Sequence, residues 1–180
     1  MAKKVAVIIG SLRKESWNRK LALQVMKMAE GRLEMEIVEI GNLAHYNDDI
    51  DKNPPQEYVD FRKKMSEKDA VLFVTPEYNR SMPGVLKNAI DVGSRPPGKS
   101  IWNGKAGGII TATTGALGAF GANHAVRQCM VAMNVAMMQQ PEAYLGGIHT
   151  AFNEDGSLNE NTGEFMKKFV DAFVAWVEKF

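Results

Sequence analysis

Short runs of apolar residues, rich in valine and isoleucine, alternate along the chain with stretches of helical periodicity. Residues 5–9 read Val-Ala-Val-Ile-Ile and residues 71–74 read Val-Leu-Phe-Val, with no polar side chain in either run. A strand with one solvated face would alternate polar and apolar residues, so these runs predict strands that are covered on both faces. Such strands, separated by helices, are typical of a parallel sheet with helices packed on both sides.

The chain divides into five strand–helix units. Strands are predicted at residues 5–9, 36–40, 71–74, 105–113 and 135–138, and helices at residues 16–31, 55–68, 83–93, 119–133 and 165–180. This order predicts an α/β fold in the form of a three-layer sandwich. A five-stranded parallel sheet favours the flavodoxin-like strand order 2-1-3-4-5, which binds ligands at the carboxyl ends of its strands. The length of 180 residues suits a single domain, residues 1–180.

Composition and charge argue against several classes of function. The chain has 22 Lys and Arg against 21 Asp and Glu, and a net charge of +1 argues against a nucleic-acid partner. Cys129 is the only cysteine, so the chain has no internal disulfide and no thiolate metal site, and its three histidines are too scattered to suggest another metal site. No apolar run approaches about 18 residues, so we expect no membrane insertion and a cytoplasmic protein.

The loop after the first strand offers several hydrogen-bond donors immediately before a helix. Ser11 and Ser16 supply hydroxyls, Arg13 supplies a guanidinium and Asn18 supplies an amide. Phosphate groups bind where such donors meet the positive end of a helix dipole. The loop matches neither the P-loop pattern nor the GxGxxG pattern of dinucleotide sites. The alternative is a plain helix start that is capped by Ser16 and leaves Arg13 in solvent.

The loop after the third strand is stiffened by proline at both ends. Pro76 follows the strand, and Pro83 precedes the next helix, where its fixed φ suits the first turn. Tyr78, Asn79 and Ser81 lie between the two prolines. A stiff loop of this kind presents backbone amides and small polar groups to the edge of a flat heterocycle. The alternative is a turn whose polar side chains are in solvent.

The two loops together resemble those of a known family. Their motifs are Gly10-Ser11-x-Arg13-x-x-Ser16-x-Asn18 and Pro76-Glu77-Tyr78-Asn79-x-Ser81-x-Pro83-Gly84-x-Leu86-Lys87-Asn88-Ala89-Ile90-Asp91. These motifs are similar to those of the NADPH-dependent FMN reductase family, and within it to the bacterial quinone, chromate and azo-dye reductases. The resemblance extends from Lys4 to the C-terminal helix. It implies a flavodoxin-like fold, bound FMN and a homodimer or homotetramer.

The resemblance also implies which residues hold the cofactor. The FMN phosphate would be held by Ser11, Arg13, Ser16 and Asn18. The isoalloxazine and ribityl groups would be held by Pro76, Glu77, Tyr78, Asn79 and Ser81, with Tyr78 and Asn79 facing the ring. A third loop would contribute Thr113 and Gly115. The sequence of that third loop differs from the family pattern, because members often have Ser and paired Gly where this chain has Ala112-Thr113-Thr114 and Gly118-Ala119.

The function implied by the resemblance is FMN-dependent oxidation of NADPH or NADH. A hydride would pass to FMN, and electrons would then pass to quinones or to similar acceptors such as chromate, azo compounds or free flavin. Because the flavin carries the chemistry, no catalytic side chain is expected, and backbone N–H groups of the 78–81 loop would stabilise charge on the reduced ring. Two alternatives remain: an electron carrier of the flavodoxin type, which is usually strongly acidic, and a non-catalytic flavin-binding module.

Two features outside these loops bear on the site and on assembly. Trp102 either lines the cofactor pocket or packs at the surface. Residues 125–138 are rich in Met and Ala and form a candidate contact surface between subunits.

Overall fold

The computed structural model describes residues 2–180, in which strands and helices alternate as the sequence predicts. The strands are β1 (Lys3–Ile9), β2 (Leu33–Ile37), β3 (Ala70–Thr75), β4 (Ala106–Ala112), β5 (Ala136–Met137) and β6 (Ala143–Leu145). The helices are α1 (Trp17–Met28), α2 (Gln56–Ser66), α3 (Gly84–Gly93), α4 (Phe120–Ala132) and α5 (Glu160–Val177), with short 3-10 turns at Ile50–Lys52 and Ile148–Thr150.

The strands form one parallel sheet in the order β2-β1-β3-β4-β5, and β6 also pairs with β4. The most apolar strands, β1 and β3, are therefore interior strands, with Val5 opposite Ala70 and Ile9 opposite Val74. The predicted order 2-1-3-4-5 and the flavodoxin-like fold class are confirmed.

Helices cover both faces of the sheet, which explains why residues 5–9 and 71–74 are all apolar. Val5, Val7 and Ile9 pack against α1 and α5 on one face. Ala6 and Ile8 pack against α2, α3 and α4 on the other face. Neighbouring residues of β1 thus enter two different hydrophobic cores, and the three layers of the predicted sandwich are confirmed.

The second strand begins and ends three residues earlier than predicted. It pairs with β1 from Leu33 opposite Lys3 to Ile37 opposite Val7, whereas the sequence pattern predicted residues 36–40. The pattern continues beyond the strand because Val38 and Ile40 are also buried, in the core beneath α2 and α3. Alternation identified the strand, but not the residues at which its pairing with β1 begins and ends.

The predicted fifth strand is the largest departure from the expected sheet. Only the two residues of β5 pair with Ala106 and Gly107, and the unpredicted β6 pairs with the other end of β4, residues 110–112. The connection between them contains Pro141, which has no N–H to donate to a sheet ladder. The fifth position of the sheet is therefore filled by two short strands.

The loops that follow β1, β3 and β4 meet at the carboxyl edge of the sheet. At Gly10 the chain leaves β1 in close contact with the end of β3. A Cβ on Gly10 would lie 2.7 Å from the Cβ of Thr75, which is too close, so this position requires glycine. Its N–H donates to the carbonyl of Val74 at 3.0 Å and extends the pairing by one residue. Within residues 2–180, no helix is long and apolar enough to cross a membrane.

Candidate active site

A cleft of about 170 Å³ lies where the three loops meet. Its lining includes eight of the eleven residues predicted from the sequence, namely Ser11, Arg13, Ser16, Asn18, Pro76, Glu77, Tyr78 and Thr113. Three predicted residues do not line it: Asn79, Ser81 and Gly115. Four lining residues were not predicted: Trp17, Ala112, Thr114 and Ile148.

The first loop places its polar side chains around the start of α1. Ser16 is the N-cap of this helix, and its hydroxyl oxygen accepts a hydrogen bond from the Arg19 N–H at 3.2 Å. The hydroxyl of Ser11 accepts from the Arg13 N–H at 3.4 Å. Ser11 and Ser16 are buried, whereas the side chain of Arg13 is exposed and forms no ion pair with a carboxylate of residues 2–180. Ser16 therefore caps α1, as the alternative interpretation expects, but both serines also line the cleft.

Asn18 connects the first loop to the end of β4. One of its Nδ2 hydrogens is donated to the carbonyl of Ala112 at 3.2 Å, and the side chain is only 4% exposed. Its Oδ1 is buried and has no hydrogen-bond partner among the described residues. A buried polar atom without a partner costs free energy, so Asn18 is poised to accept a donor from a bound molecule or water.

The second loop contains a two-residue hairpin turn. The N–H of Tyr78 donates to the Ser81 carbonyl at 2.9 Å, and the N–H of Ser81 donates back to the Tyr78 carbonyl at 3.0 Å. Asn79 and Arg80 lie between them with φ of 50° and 67°, the pattern of a type I′ turn. The turn uses two of the N–H groups expected to stabilise a reduced ring. Those of Asn79 and Arg80 donate to no acceptor within residues 2–180.

Glu77 joins this turn to the start of α4. One carboxylate oxygen, Oε2, accepts from the N–H of Ala122 at 3.2 Å, and the other, Oε1, lies 3.8 Å from a guanidinium nitrogen of Arg80. The carboxylate is largely buried, with 13% of the side chain exposed. A Cβ added to Gly121 would lie 2.6 Å from the Arg80 carbonyl oxygen, so the turn and the helix are in close contact.

The third loop closes the cleft beside β4. The hydroxyl of Thr111 donates to the Gly118 carbonyl at 2.8 Å and draws the loop back onto the strand. Thr113 lines the cleft, and the N–H of Gly115 points to the Thr113 hydroxyl at 3.4 Å. The N–H of Ile148 donates to the Thr113 carbonyl at 3.0 Å, which brings the 3-10 turn after β6 to the cleft.

Trp17 and Ile148 give the cleft an apolar wall that the sequence motifs do not predict. The Trp17 ring stacks on Phe152 with centroids 5.5 Å apart, and the Lys20 ammonium lies 4.8 Å from the Trp17 ring centre. A large aromatic residue at the first position of the helix after a donor-rich loop is a signal that could have identified Trp17. Ile148 follows an unpredicted strand and carries no such local signal.

The prediction for Trp102 is wrong in both of its forms. Its side chain is fully buried between Phe61 and Phe73, and its indole N–H donates to the Ile90 carbonyl at 3.0 Å. It lies neither in the cleft nor at the surface. It is instead part of the core beneath α3, where the polar atom of a buried tryptophan needs a partner.

An open apolar hollow adjoins the cleft and shares Arg13 and Tyr78 with it. The other residues that line the hollow are Gly10, Leu12, Pro83, Gly84 and Val85. Leu12 is 60% exposed and Tyr78 is 49% exposed, so this side of the site is open to solvent.

An aromatic cluster of Phe120, His124 and Tyr144 lies at the start of α4. Phe120 lies 4.2 Å from His124 and 5.3 Å from Tyr144, measured between ring centroids. Burial and, after it, the neighbouring Glu142 raise the pKa of Tyr144 to about 12, so its hydroxyl remains a donor at neutral pH. Within residues 2–180, no group of three or more potential ligands is arranged to hold a metal ion.

The donors of the cleft fit a phosphate monoester attached to a flat heterocycle. Hydroxyls, a guanidinium and an amide surround the start of α1, which suits a terminal phosphate. Pro76, Tyr78 and Trp17 supply apolar and aromatic surface in the same cleft. The residues present therefore fit FMN, which combines these two parts.

Comparison with known proteins agrees with this fit. Residues 3–150 match the model of a family described as NADPH-dependent FMN reductase. A quinone reductase of Pseudomonas putida is 54% identical over 175 residues, which cover 97% of this chain and 94% of the relative. A 2-hydroxy-1,4-benzoquinone reductase of Burkholderia sp. is 40% identical over 178 residues, which cover 98% of this chain and 97% of the relative.

A solved structure supports the same family. FerB, a flavoenzyme NAD(P)H:(acceptor) oxidoreductase from Paracoccus denitrificans, superposes with a TM-score of 0.94 at 45% identity, covering 99% of this chain and 98% of FerB. The sequence motifs, the sheet order, the cleft and the relatives thus point to one assignment. The chain belongs to the NADPH-dependent FMN reductase family and is an oxidoreductase that depends on FMN and NAD(P)H.

Proposed function

We propose that this protein is an NAD(P)H-dependent quinone reductase, which transfers a hydride from NAD(P)H to FMN bound in the cleft and passes electrons on to a quinone. The observation that carries the proposal is the cleft, which combines phosphate-binding donors of the first loop with the rigid, aromatic second loop. The quinone reductase names of relatives at 54% and 40% identity support the choice of acceptor. The proposal takes residues 1–180 as one FMN-binding domain that acts in the cytoplasm.

The phosphate of FMN is assigned to Ser11, Arg13, Ser16 and Asn18. The Ser16 oxygen accepts from the Arg19 N–H, and its own O–H donates to no acceptor within residues 2–180, so the O–H is available to a ligand. Asn18 uses one of its two Nδ2 hydrogens on Ala112, which leaves the second hydrogen for a ligand. The Arg13 guanidinium supplies the charge that opposes the phosphate dianion.

The isoalloxazine and ribityl groups are assigned to the second and third loops. Pro76 and Tyr78 supply surface within the cleft, and the N–H groups of Asn79 and Arg80 are available to stabilise negative charge. Ser81, Thr113 and Gly115 complete this assignment. Glu77 belongs to it through its position in the second loop, and no contact with the cofactor is assigned to its carboxylate.

The electron acceptor is assigned to the open hollow beside the cleft. Leu12, Pro83 and Val85 make it apolar, and the exposed Tyr78 ring forms its border with the cleft. A flat, apolar quinone can enter it from solvent. An open site of this kind also admits chromate, azo compounds and free flavin, which we include as candidate acceptors.

The proposal is tested with the purified protein. We expect a yellow protein from which heat releases FMN rather than FAD, and we expect NADPH or NADH to be consumed when a benzoquinone is added. Donor and acceptor use one open site, so initial rates at varied NAD(P)H and quinone should give parallel double-reciprocal lines. Intersecting lines would instead indicate a ternary complex.

Two outcomes would favour the alternatives. FMN binding without NAD(P)H oxidation would indicate an electron carrier or a non-catalytic module, although the net charge of +1 is unlike that of an acidic carrier. If NAD(P)H is oxidised with chromate or an azo dye but not with quinones, the protein is still a reductase, but the proposed quinone acceptor is wrong.

We also propose that the protein is a homodimer or homotetramer. Phe120 and Val131 are 53% and 81% exposed on α4, and apolar side chains with that exposure on one helix suit a contact between subunits. Val131 lies inside the segment 125–138 that the sequence singled out.

A further inference from the structure

The contact between Glu77 and α4 joins two loops that border the candidate site. Glu77 lies one residue before the Tyr78–Ser81 turn, and its Oε2 accepts from the N–H of Ala122, the third residue of α4, at 3.2 Å. The two residues are 45 positions apart in the sequence. The Glu77 carboxylate therefore links the loop that carries the turn to the first turn of α4.

Helix α4 has no cap of its own. Ala119, at the N-cap position, has a φ of 60° and no side chain that could accept a hydrogen bond. The first N–H groups of a helix need an acceptor, and a carboxylate at this end also meets the positive end of the helix dipole. Glu77 supplies that acceptor from another loop. Its carboxylate therefore caps α4 as the Ser16 hydroxyl caps α1.

The contact also limits where the turn can lie. A Cβ on Gly121 would approach the Arg80 carbonyl oxygen to 2.6 Å and the Glu77 Oε2 to 3.0 Å, so the turn rests on the backbone of the helix. Asn79 and Arg80 both have positive φ, a conformation that persists in non-glycine residues when the surroundings hold it in place.

We propose that Glu77 is a positioning residue that holds the Tyr78–Ser81 turn against α4, and that its carboxylate does not bind the cofactor directly. Its Oε2 already accepts from the Ala122 N–H, and its Oε1 lies 3.8 Å from a guanidinium nitrogen of Arg80. A carboxylate only accepts hydrogen bonds and repels an anionic cofactor, so its charge is better used on the helix than on FMN. The inference rests on the proposed FMN site, because it concerns the loop that would border the flavin ring.

Two conservative variants of Glu77 separate the effect of its side-chain length from the effect of its charge. Glu77→Gln keeps an oxygen at the distance of Ala122 and removes the charge, whereas Glu77→Asp keeps the charge and shortens the side chain by one methylene. We expect Glu77→Gln to retain FMN affinity within about threefold and Glu77→Asp to lose about tenfold or more, as when a hydrogen bond to a charged group is lost. The matched controls are Glu164→Gln and Glu164→Asp at an exposed position of α5, which should change nothing.

A second measurement uses the protein without FMN. Hydrogen exchange of the Ala122 amide should remain slow in Glu77→Gln and become at least about tenfold faster in Glu77→Asp, since local opening follows the loss of the hydrogen bond. FMN affinity is measured by quenching of flavin fluorescence, and circular dichroism confirms that each variant is folded.

The possible outcomes lead to different conclusions. If Glu77→Gln weakens FMN binding and Glu77→Asp does not, the charge acts on the cofactor and the inference is wrong. If exchange at Ala122 accelerates in Glu77→Asp while FMN affinity is unchanged, the contact stabilises α4 without positioning the turn, which also overturns it. If the wild-type protein binds no FMN, the proposed function fails, whereas the exchange result still reports on the contact.

Discussion

At the residue scale, Arg80 occupies a backbone conformation that glycine adopts more readily. Its φ is 67°, and a left-handed conformation costs a residue with a Cβ about 1–2 kcal/mol. We expect Arg80→Gly to be more stable than Arg80→Ala by about 1 kcal/mol, even after the greater freedom of glycine in the unfolded chain is counted. Urea denaturation of both variants without FMN measures the difference.

Position 167 provides the control for this comparison. Lys167 is exposed in the middle of α5, where glycine should be less stable than alanine by about 1 kcal/mol. The order of the two variants should therefore reverse between positions 80 and 167. Greater stability of alanine at both positions would show that the turn does not impose a left-handed conformation on Arg80.

Arg13 is the residue whose loss should most clearly affect FMN binding. As a phosphate ligand it would make a charge-assisted hydrogen bond of about 1.5–3 kcal/mol, so Arg13→Ala should raise the FMN dissociation constant about 10- to 150-fold. The exposed side chain leaves no cavity in the core, so the free energy of unfolding without FMN should change by less than about 0.5 kcal/mol. Titration of flavin fluorescence measures the affinity.

Arg19 is the matched control for Arg13, because it is also an arginine near the start of α1. Its guanidinium pairs with the exposed carboxylate of Glu39 at 2.6 Å and does not line the cleft. Arg19→Ala should leave FMN affinity within about threefold of the wild type, since exposed ion pairs contribute little. An affinity change below threefold for Arg13→Ala would remove Arg13 from the site.

The sequence predicted the polar part of the site better than its apolar part. Hydroxyl, amide and guanidinium groups that cluster next to a helix start suit an anion, so Ser11, Arg13 and Ser16 could be expected at the cleft from their types and spacing, although Ser16 also caps α1. Ile148 is one aliphatic residue among many, and it lies at the cleft where its N–H donates to the Thr113 carbonyl. That contact depends on the path of the chain after β6, which no local pattern predicts.

At the element scale, the contact between the 78–81 turn and α4 makes a prediction about two helical glycines. Gly121→Ala would place a Cβ 2.6 Å from the Arg80 carbonyl oxygen, whereas Gly163→Ala on α5 would meet nothing nearer than Leu158 at 3.9 Å. Alanine gains about 1 kcal/mol over glycine in a helix, and overpacking costs about 1–3 kcal/mol. Gly163→Ala should therefore raise the melting temperature, and Gly121→Ala should lower it.

FMN affinity separates the two glycine variants further. Displacing the turn in Gly121→Ala should weaken FMN binding, whereas Gly163→Ala should leave it unchanged. Thermal unfolding with and without FMN gives both quantities, because a ligand that binds only the folded state raises its melting temperature. An increase in stability for both variants would show that the turn moves freely on α4.

The sequence predicted the central strands, which are covered on both faces, more accurately than the strands at the edges of the sheet. Residues 5–9 of β1 and 70–74 of β3 are all apolar because each strand contacts two helical layers, so composition alone identifies them. Strand β2 has one partner. Its start lies opposite Lys3 at the start of β1, but its end lies opposite Val7, two residues before β1 ends, and its own sequence pattern marks neither position. Strand β6 has only three residues and is defined by its pairing with β4. Nothing within residues 143–145 marks it as a strand.

At the scale of the whole molecule, the sheet order brings together loops that are far apart in the sequence. Strands β1, β3 and β4 are neighbours, so residues 11–18, 76–81 and 112–118 meet at one edge. The same arrangement leaves one side of α4 outside the two cores, with Phe120 and Val131 exposed. The site and the candidate subunit contact are therefore both consequences of where the sheet places α4 and the loop before it.

The proposed subunit contact predicts that charge at Val131 disrupts assembly. Light scattering at micromolar concentration should give the wild type at least twice the chain mass of 19.9 kDa. In a symmetric dimer Val131 is buried twice, at about 1.5 kcal/mol each, so Val131→Lys should weaken association roughly 100-fold and shift the mass towards the monomer. Leu23 is 50% exposed on α1, outside the proposed contact, and Leu23→Lys should leave the mass unchanged. A monomeric wild type would contradict the proposed assembly, and an unchanged mass in Val131→Lys would place the contact on another surface.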